Sequence, residues 1–513
     1  MSTTPHPTPV PPPRSAPTDL GLPGDRLGRA GWTLLLVLCG TVFLDGLDVS
    51  MIGVALPSVG TALDLAPSTL QWVISGYVLG YGGFLLLGGR SSDLLGRRRV
   101  LLVGLAVFAA ASLLTGVATD GTLLIGARFV KGAAAAFTAP ATLSIITTRF
   151  REGPQRTKAL TVYTATAASG FSLGLVLGGL LTSIGWRWTF LVPGPLALVL
   201  LALGTRFVPR DEPGTGRRSY DLPGAASITA AMLTLVITVV RAHDQGWGSP
   251  VTVLGFAASA ALLATFVAVE HYSRAPLVRL GILRTPGLAA ANLTAMTVFG
   301  SYVAFQFIAA LYLQQTLGWS AVRMAFGLLP MGLLVVAVAR PVGTLIDRYG
   351  PAVPLAGGMA AFVAGYAVFS RIGPSASYLA VVLPSTLLLG LGFGLAFASI
   401  NTAATSGVRN EEQGLASGLV QTSFQLGGAV LLAVSTAVVE GTTGTGPDGV
   451  PTALDAISGY RAGLWISVGG AVLGLLVTAP ALVRSVRARR AADVPDAVVL
   501  GAPVREEYAE AEV

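Results

Sequence analysis

Two aspartates, Asp45 and Asp48, stand three residues apart inside the long apolar run from Trp32 to Pro57. Two cations, Arg128 and Lys131, stand three apart inside a second apolar run, 122–147. That spacing puts each pair on one face of a helix. A helix over either run rises about 1.5 Å per residue and can cross a hydrocarbon core of roughly 30 Å, so all four charges lie at depth. A carboxylate there costs at least ~2.5 kcal/mol unless it faces a polar interior. Two buried cations without partners are costly as well, so carboxylates should be close to them. These two runs are therefore expected to face each other, joining the four charges in a formally neutral cluster. Two chemistries fit it. One is a static ion pair that binds helices together, and Lys131 in particular fits that. The other is a site for protons or substrate.

The elements that must hold these residues are membrane helices. The 513 residues are 53% hydrophobic and 11% charged, against about 25% charged in soluble domains. The net charge of +8 falls at the edges of apolar runs, which points to membrane topology and to a lipid partner rather than nucleic acid. Cys39 is the only cysteine, so neither an intramolecular disulfide nor a metal cluster is expected. His6, His243 and His271 all lie outside or beside the apolar runs, so carboxylates must carry any coupled proton. No G-x-x-x-x-G-K loop, H-E-x-x-H or paired C-x-x-C occurs, so neither an enzyme nor a cofactor is expected.

Spanning runs recur about fourteen times, among them 32–58, 159–184, 222–241 and 251–270. With a cytoplasmic N-terminus, the inner connections hold clusters such as Arg97 to Arg99, Arg149 to Lys158 and Arg484 to Arg490. The outer ones hold single arginines such as Arg187, Arg323 and Arg371. This asymmetry predicts an even number of spans with both termini cytoplasmic, in the plasma membrane. The loop Gly89–Arg98 follows G-x-x-x-D-x-x-G, with Asp93 and Gly96 in the pattern and Arg97 and Arg98 after it. It recurs from Gly343 to Gly350 with Asp347 and Arg348, an offset of 254 residues. Two six-span halves separated by two extra spans give that offset, and parallel repeats around a central site are a transporter architecture. The predicted organisation is a tail at 1–30, a six-helix half at 31–208 and a linker with two extra helices at 209–285. A second half at 286–482 and a cytoplasmic tail at 483–513 follow.

Several of these stretches resemble motifs of the major facilitator superfamily, specifically its fourteen-span drug:proton antiporters. Leu47 to Pro57 is similar to the first-span signature, with Asp48 in the acidic position and Asp45 an addition. The loop from Gly89 is similar to the superfamily's most general motif. Leu124 to Gly132 is similar to the motif with a membrane-embedded arginine, Arg128, and Lys131 stands where glutamine is usual. Gly170, Gly174, Gly178 and Gly179 resemble the antiporter motif, although Leu175 stands where that motif has proline. Trp186 to Phe190 and Ser417 to Thr422 also fit. The resemblance implies an all-α polytopic membrane protein of two six-helix halves plus two extra transmembrane helices. It implies a proton-coupled efflux transporter for antibiotics or other toxic organic amphiphiles, with the proton gradient as energy source. The loop residues Gly89, Asp93, Gly96, Arg97, Arg98, Asp347 and Arg348 would form a conformational latch, and topology alone also accounts for them.

The glycines at intervals of four also permit close helix approach without any family role. Asn292, Gln306, Gln421 and Gln425 are candidates to line the pathway, with interhelical hydrogen bonding the alternative. Tyr77, Tyr81 and Tyr302 could stack on flat or cationic ligands. A small organic substrate and protons are the expected partners, on a monomer. Uptake of a small organic nutrient on the same fold is the competing function, because fold does not settle direction.

Overall fold

The computed structural model describes residues 28–492 except 151–153, 211–221, 247, 274–280, 283–284, 286, 409–412 and 445–451. Among the described residues all regular structure is helical. The first half comprises α1 (Arg29–Leu63), α2 (Pro67–Leu95), α3 (Arg97–Gly116), α4 (Gly121–Arg149), α5 (Pro154–Ile184), the single turn α6 (Trp188–Leu191) and α7 (Pro193–Phe207). Then come α8 (Leu222–Gln245) and α9 (Pro250–Tyr272). The second half comprises α10 (Leu288–Leu311), α11 (Ala321–Tyr349), α12 (Ala352–Phe369), α13 (Leu383–Thr405), α14 (Gln413–Thr442) and α15 (Ala453–Ala492). Among the described residues, twelve spans, with α6 and α7 counted as one, are long and apolar enough to cross a membrane. The chain is a multi-pass membrane protein. The expected fourteen spans also include α2 and α8, which fall outside that set of twelve; the apolar stretch of α8 is Pro223–Val239.

Several helices run past the apolar runs that predict them. α15 continues through its basic end to Ala492, ten residues into the expected tail. α10 is prolonged by the π-helical turn Tyr312–Thr316, and a second such turn, Tyr378–Val382, leads into α13. Asp120, Ser249 and Ser320 start α4, α9 and α11 by accepting a backbone N–H three residues on, which satisfies an otherwise free donor.

Packing follows the sequence repeat. α1 lies along α5 as α10 lies along α14, and α2 lies along α4 as α11 lies along α13. The halves meet at two equivalent seams, α2 with α14 and α5 with α11. The repeated loop has a local counterpart. Gly96 (φ 98°) ends α2 and Gly350 (φ 74°) ends α11, a backbone conformation that side chains disfavour. The extra pair breaks the symmetry. α8 packs into the α2–α14 seam, where Thr229 donates to the Gly83 carbonyl at 2.9 Å. α9 packs mainly on α8 and leaves Val251, Val253, Leu254, Leu263 and Val267 exposed, as a lipid-facing helix does.

Candidate functional site

Close backbone approach sets the position of α1. A Cβ on Gly174 would lie 2.6 Å from the Leu47 carbonyl oxygen and would collide with Ser50 Oγ. One on Gly178 would lie 2.9 Å from Met51 Cα, and one on Gly170 would collide with the Phe43 carbonyl. The glycine stripe of α5 is therefore the bed on which the Asp45–Asp48 stretch rests. α4 is brought equally close to α2, because a Cβ on Gly132 would strike the Tyr77 carbonyl and one on Gly80 that of Phe129. Gly179 turns away from α1 and faces α11, where a Cβ on it would lie 2.9 Å from the Ala321 carbonyl oxygen. α5 passes Leu175 without a break.

Between these helices the charges meet. Arg128 Nη1 donates to Asp48 Oδ2 at 2.6 Å, and Lys131 Nζ pairs with Asp48 Oδ1. Arg128 Nε donates to the Val73 carbonyl of α2 at 3.0 Å. The guanidinium lies 4.5 Å from the centre of the Tyr77 ring, and Lys131 Nζ lies 4.8 Å from that of Phe108. Arg128, Lys131 and Asp48 are 1%, 0% and 2% exposed. The pairing ties α1, α2 and α4 together and brings three of the four charges of the expected cluster into direct contact. Both cations are on Asp48. Asp45 makes no ion pair among the described residues, and its buried Oδ2 has no hydrogen-bond partner.

The profile of the Major Facilitator Superfamily matches residues 38–432. The chain belongs to this superfamily. It is a transporter and not an enzyme. The cephamycin export protein CmcT of Amycolatopsis lactamdurans is 38% identical over 88% of this chain and 92% of its own. The puromycin resistance protein pur8 of Streptomyces alboniger is 35% identical over 86% and 89%. Among solved structures, the POT family transporter PepTSo superposes with a TM-score of 0.65 at 16% identity, over 90% of this chain and 99% of that one, a likeness of fold.

On this major facilitator frame the other candidate residues separate. Asn292 donates to the Leu288 carbonyl and accepts from Ser423 Oγ at 2.8 Å, so it ties α10 to α14. Gln306 packs against Gly53 of α1 with its Nε2 buried and unpartnered. Gln425 is buried against Gly82 at the α2–α14 seam, and Gln421 is half-buried on the same helix. In the Gly89–Arg98 loop, Arg98 Nη2 donates to the Thr205 carbonyl of α7 at 2.6 Å, a contact inside the first half. A Cβ on Gly89 would lie 3.8 Å from Pro140 of α4. The Arg97 side chain is half-buried, Asp347 and Arg348 are exposed, and the Asp93 side chain lies outside the described residues.

Two further residues, Gln314 and Phe171, bridge the halves without any signal in the sequence. Gln314, in the π-helical turn that follows α10, donates to the Val54 carbonyl of α1 at 2.8 Å. Phe171 of α5 stacks on Phe393 of α13 with ring centres 6.3 Å apart and meets Tyr302 of α10 at 5.7 Å. Phenylalanines in apolar runs carry no signal that separates a seam from lipid-facing surface.

Proposed function

We propose that this chain is a proton-coupled antiporter that exports antibiotics or other toxic organic amphiphiles, with the proton gradient as its energy source. The observation that carries the reading is the sealed Asp48–Arg128–Lys131 pairing beside a second buried acid, Asp45. Charges this deep are retained in membrane helices chiefly where ions or substrates move. The direction rests on the relatives, whose names are those of a cephamycin exporter and of a puromycin resistance protein. An inward-moving proton supplies about 2.3 kcal/mol per 100 mV of membrane potential, besides its concentration term. In the outward-facing state a proton reaches the acid pair, and in the inward-facing state the site takes substrate as the proton leaves. The two seams rock about the fixed centre, with the Gly89–Arg98 and Gly343–Gly350 loops as inner latches and both termini cytoplasmic.

Everted membrane vesicles provide the test. Energised vesicles should accumulate puromycin or a fluorescent amphiphilic dye, and a protonophore should abolish the accumulation. Vesicles that accumulate neither under a proton gradient would sink the export reading, and probe loss under that gradient would favour uptake.

A further inference from the structure

The two acids of α1 are not equivalent, and the family motif singles out only Asp48. Asp48 is saturated: Arg128 occupies one carboxylate oxygen and Lys131 the other. A proton placed on Asp48 would leave two sealed cations without their shared counter-ion, which is the costly state of a buried pair. Asp45 is arranged in the opposite way. It is 9% exposed against 2% for Asp48, has no ion pair among the described residues and keeps one buried oxygen unpartnered. Asp45 can therefore take a proton without breaking an ion pair.

The groups that face it fit a proton site. Tyr77 and Tyr81 of α2 and Tyr163 of α5 lie within electrostatic range of Asp45, and so does Lys131 of α4; Arg128 stands behind on Asp48. Cys39, on the same helix as Asp45, is within reach of Tyr163 and Thr166 of α5. The Tyr77 hydroxyl is also buried without a partner. Lys131, paired with Asp48, is also within electrostatic range of Asp45.

We propose that Asp45 is the carboxylate that binds and releases the coupled proton, while Asp48 stays ionised as the anchor of Arg128 and Lys131. The step is a simple proton transfer. The Asp45 carboxylate takes a proton from water on the outer side to become the neutral acid and returns it to water on the inner side. With Asp45 neutral, Lys131 rests on Asp48, as in the structure. With Asp45 ionised, the Lys131 ammonium is drawn toward it and its hold on Asp48 loosens. Protonation is thereby linked to the α1–α4 contact. This assignment rests on the proton-coupled reading above.

The test is infrared titration of the full-length protein in proteoliposomes, following the C=O stretch of protonated carboxylic acids as pH is raised. A titrating band is expected in the wild type, lost in Asp45→Asn and moved in frequency in Asp45→Glu. It should persist in Asp48→Asn/Lys131→Met, which removes one charge of each sign. If Asp45→Asn does not reach the membrane, the shift in Asp45→Glu carries the assignment. A band that survives Asp45→Asn and vanishes in the Asp48 variant would overturn the proposal, and so would a wild type with no band that depends on Asp45. Probe accumulation in vesicles is scored separately. A wild type that accumulates no probe sinks the efflux reading and leaves the infrared result legible.

Discussion

Asp48 accepts from two buried cations at once, so its replacement by asparagine leaves both sealed in protein without an anion. Breaking a buried pair in this way costs about 3–5 kcal/mol, and Asp48→Asn should melt at a clearly lower temperature in detergent. Adding Lys131→Met to it removes one cation and should recover part of the loss. A double-mutant cycle should return a coupling of about 0.5–3 kcal/mol, and simple additivity would show that the contact carries no energy. Asp45→Asn should cost far less stability than Asp48→Asn, because Asp45 has no ion pair to lose. A melting point lowered as far as that of Asp48→Asn would contradict the difference between the two acids. The sequence placed all four charges at depth, because their positions in apolar runs fix their depth. The sharing among them was not legible, because i, i+3 spacing gives a face and not a partner.

At the scale of elements, glycine decides how near the charged helices come. Gly174→Val puts atoms where the Leu47 backbone and Ser50 now lie and must push α1 off α5. Overpacking of this kind costs about 1–3 kcal/mol, and transport should fall with it. Gly126→Ala on α4 is the control, since a Cβ there meets nothing within 4 Å. It should be neutral or stabilise by up to about 1 kcal/mol through helix propensity. Equal damage by both substitutions would refute the close-approach argument. The helix α8 is fastened differently, by the Thr229–Gly83 hydrogen bond and apolar contacts. Interhelical bonds in membranes average about 0.6 kcal/mol, so Thr229→Val should shift the melting temperature only slightly. A large loss would mean that α8 holds the α2–α14 seam rather than merely filling it. The glycine spacing on α5 is visible in the sequence. Which neighbour each glycine meets is not, and Gly179 faces α11 although Gly178 beside it faces α1.

Across the whole molecule, the topology makes a prediction that the single buried cysteine simplifies. Cysteine placed at the exposed residue Gly248, between α8 and α9, should react with a membrane-impermeant maleimide on intact cells. Cysteine at the exposed residue Ser406, beyond α13, should react only after permeabilisation. The reverse pattern would invert both termini. By itself the sequence determined the class, a bundle of membrane helices, because hydrocarbon demands long apolar runs whose backbone bonds are satisfied within each helix. It also carries the repeated G-x-x-x-D-x-x-G loop, whose last glycines, Gly96 and Gly350, end α2 and α11 with positive φ. Only the tertiary structure decided that α8 enters one of two equivalent seams, that Gln314 and Phe171 bridge the halves, and that Arg128 and Lys131 both choose Asp48. These depend on distances between helices far apart in the chain, and helical periodicity constrains only the face that each helix presents.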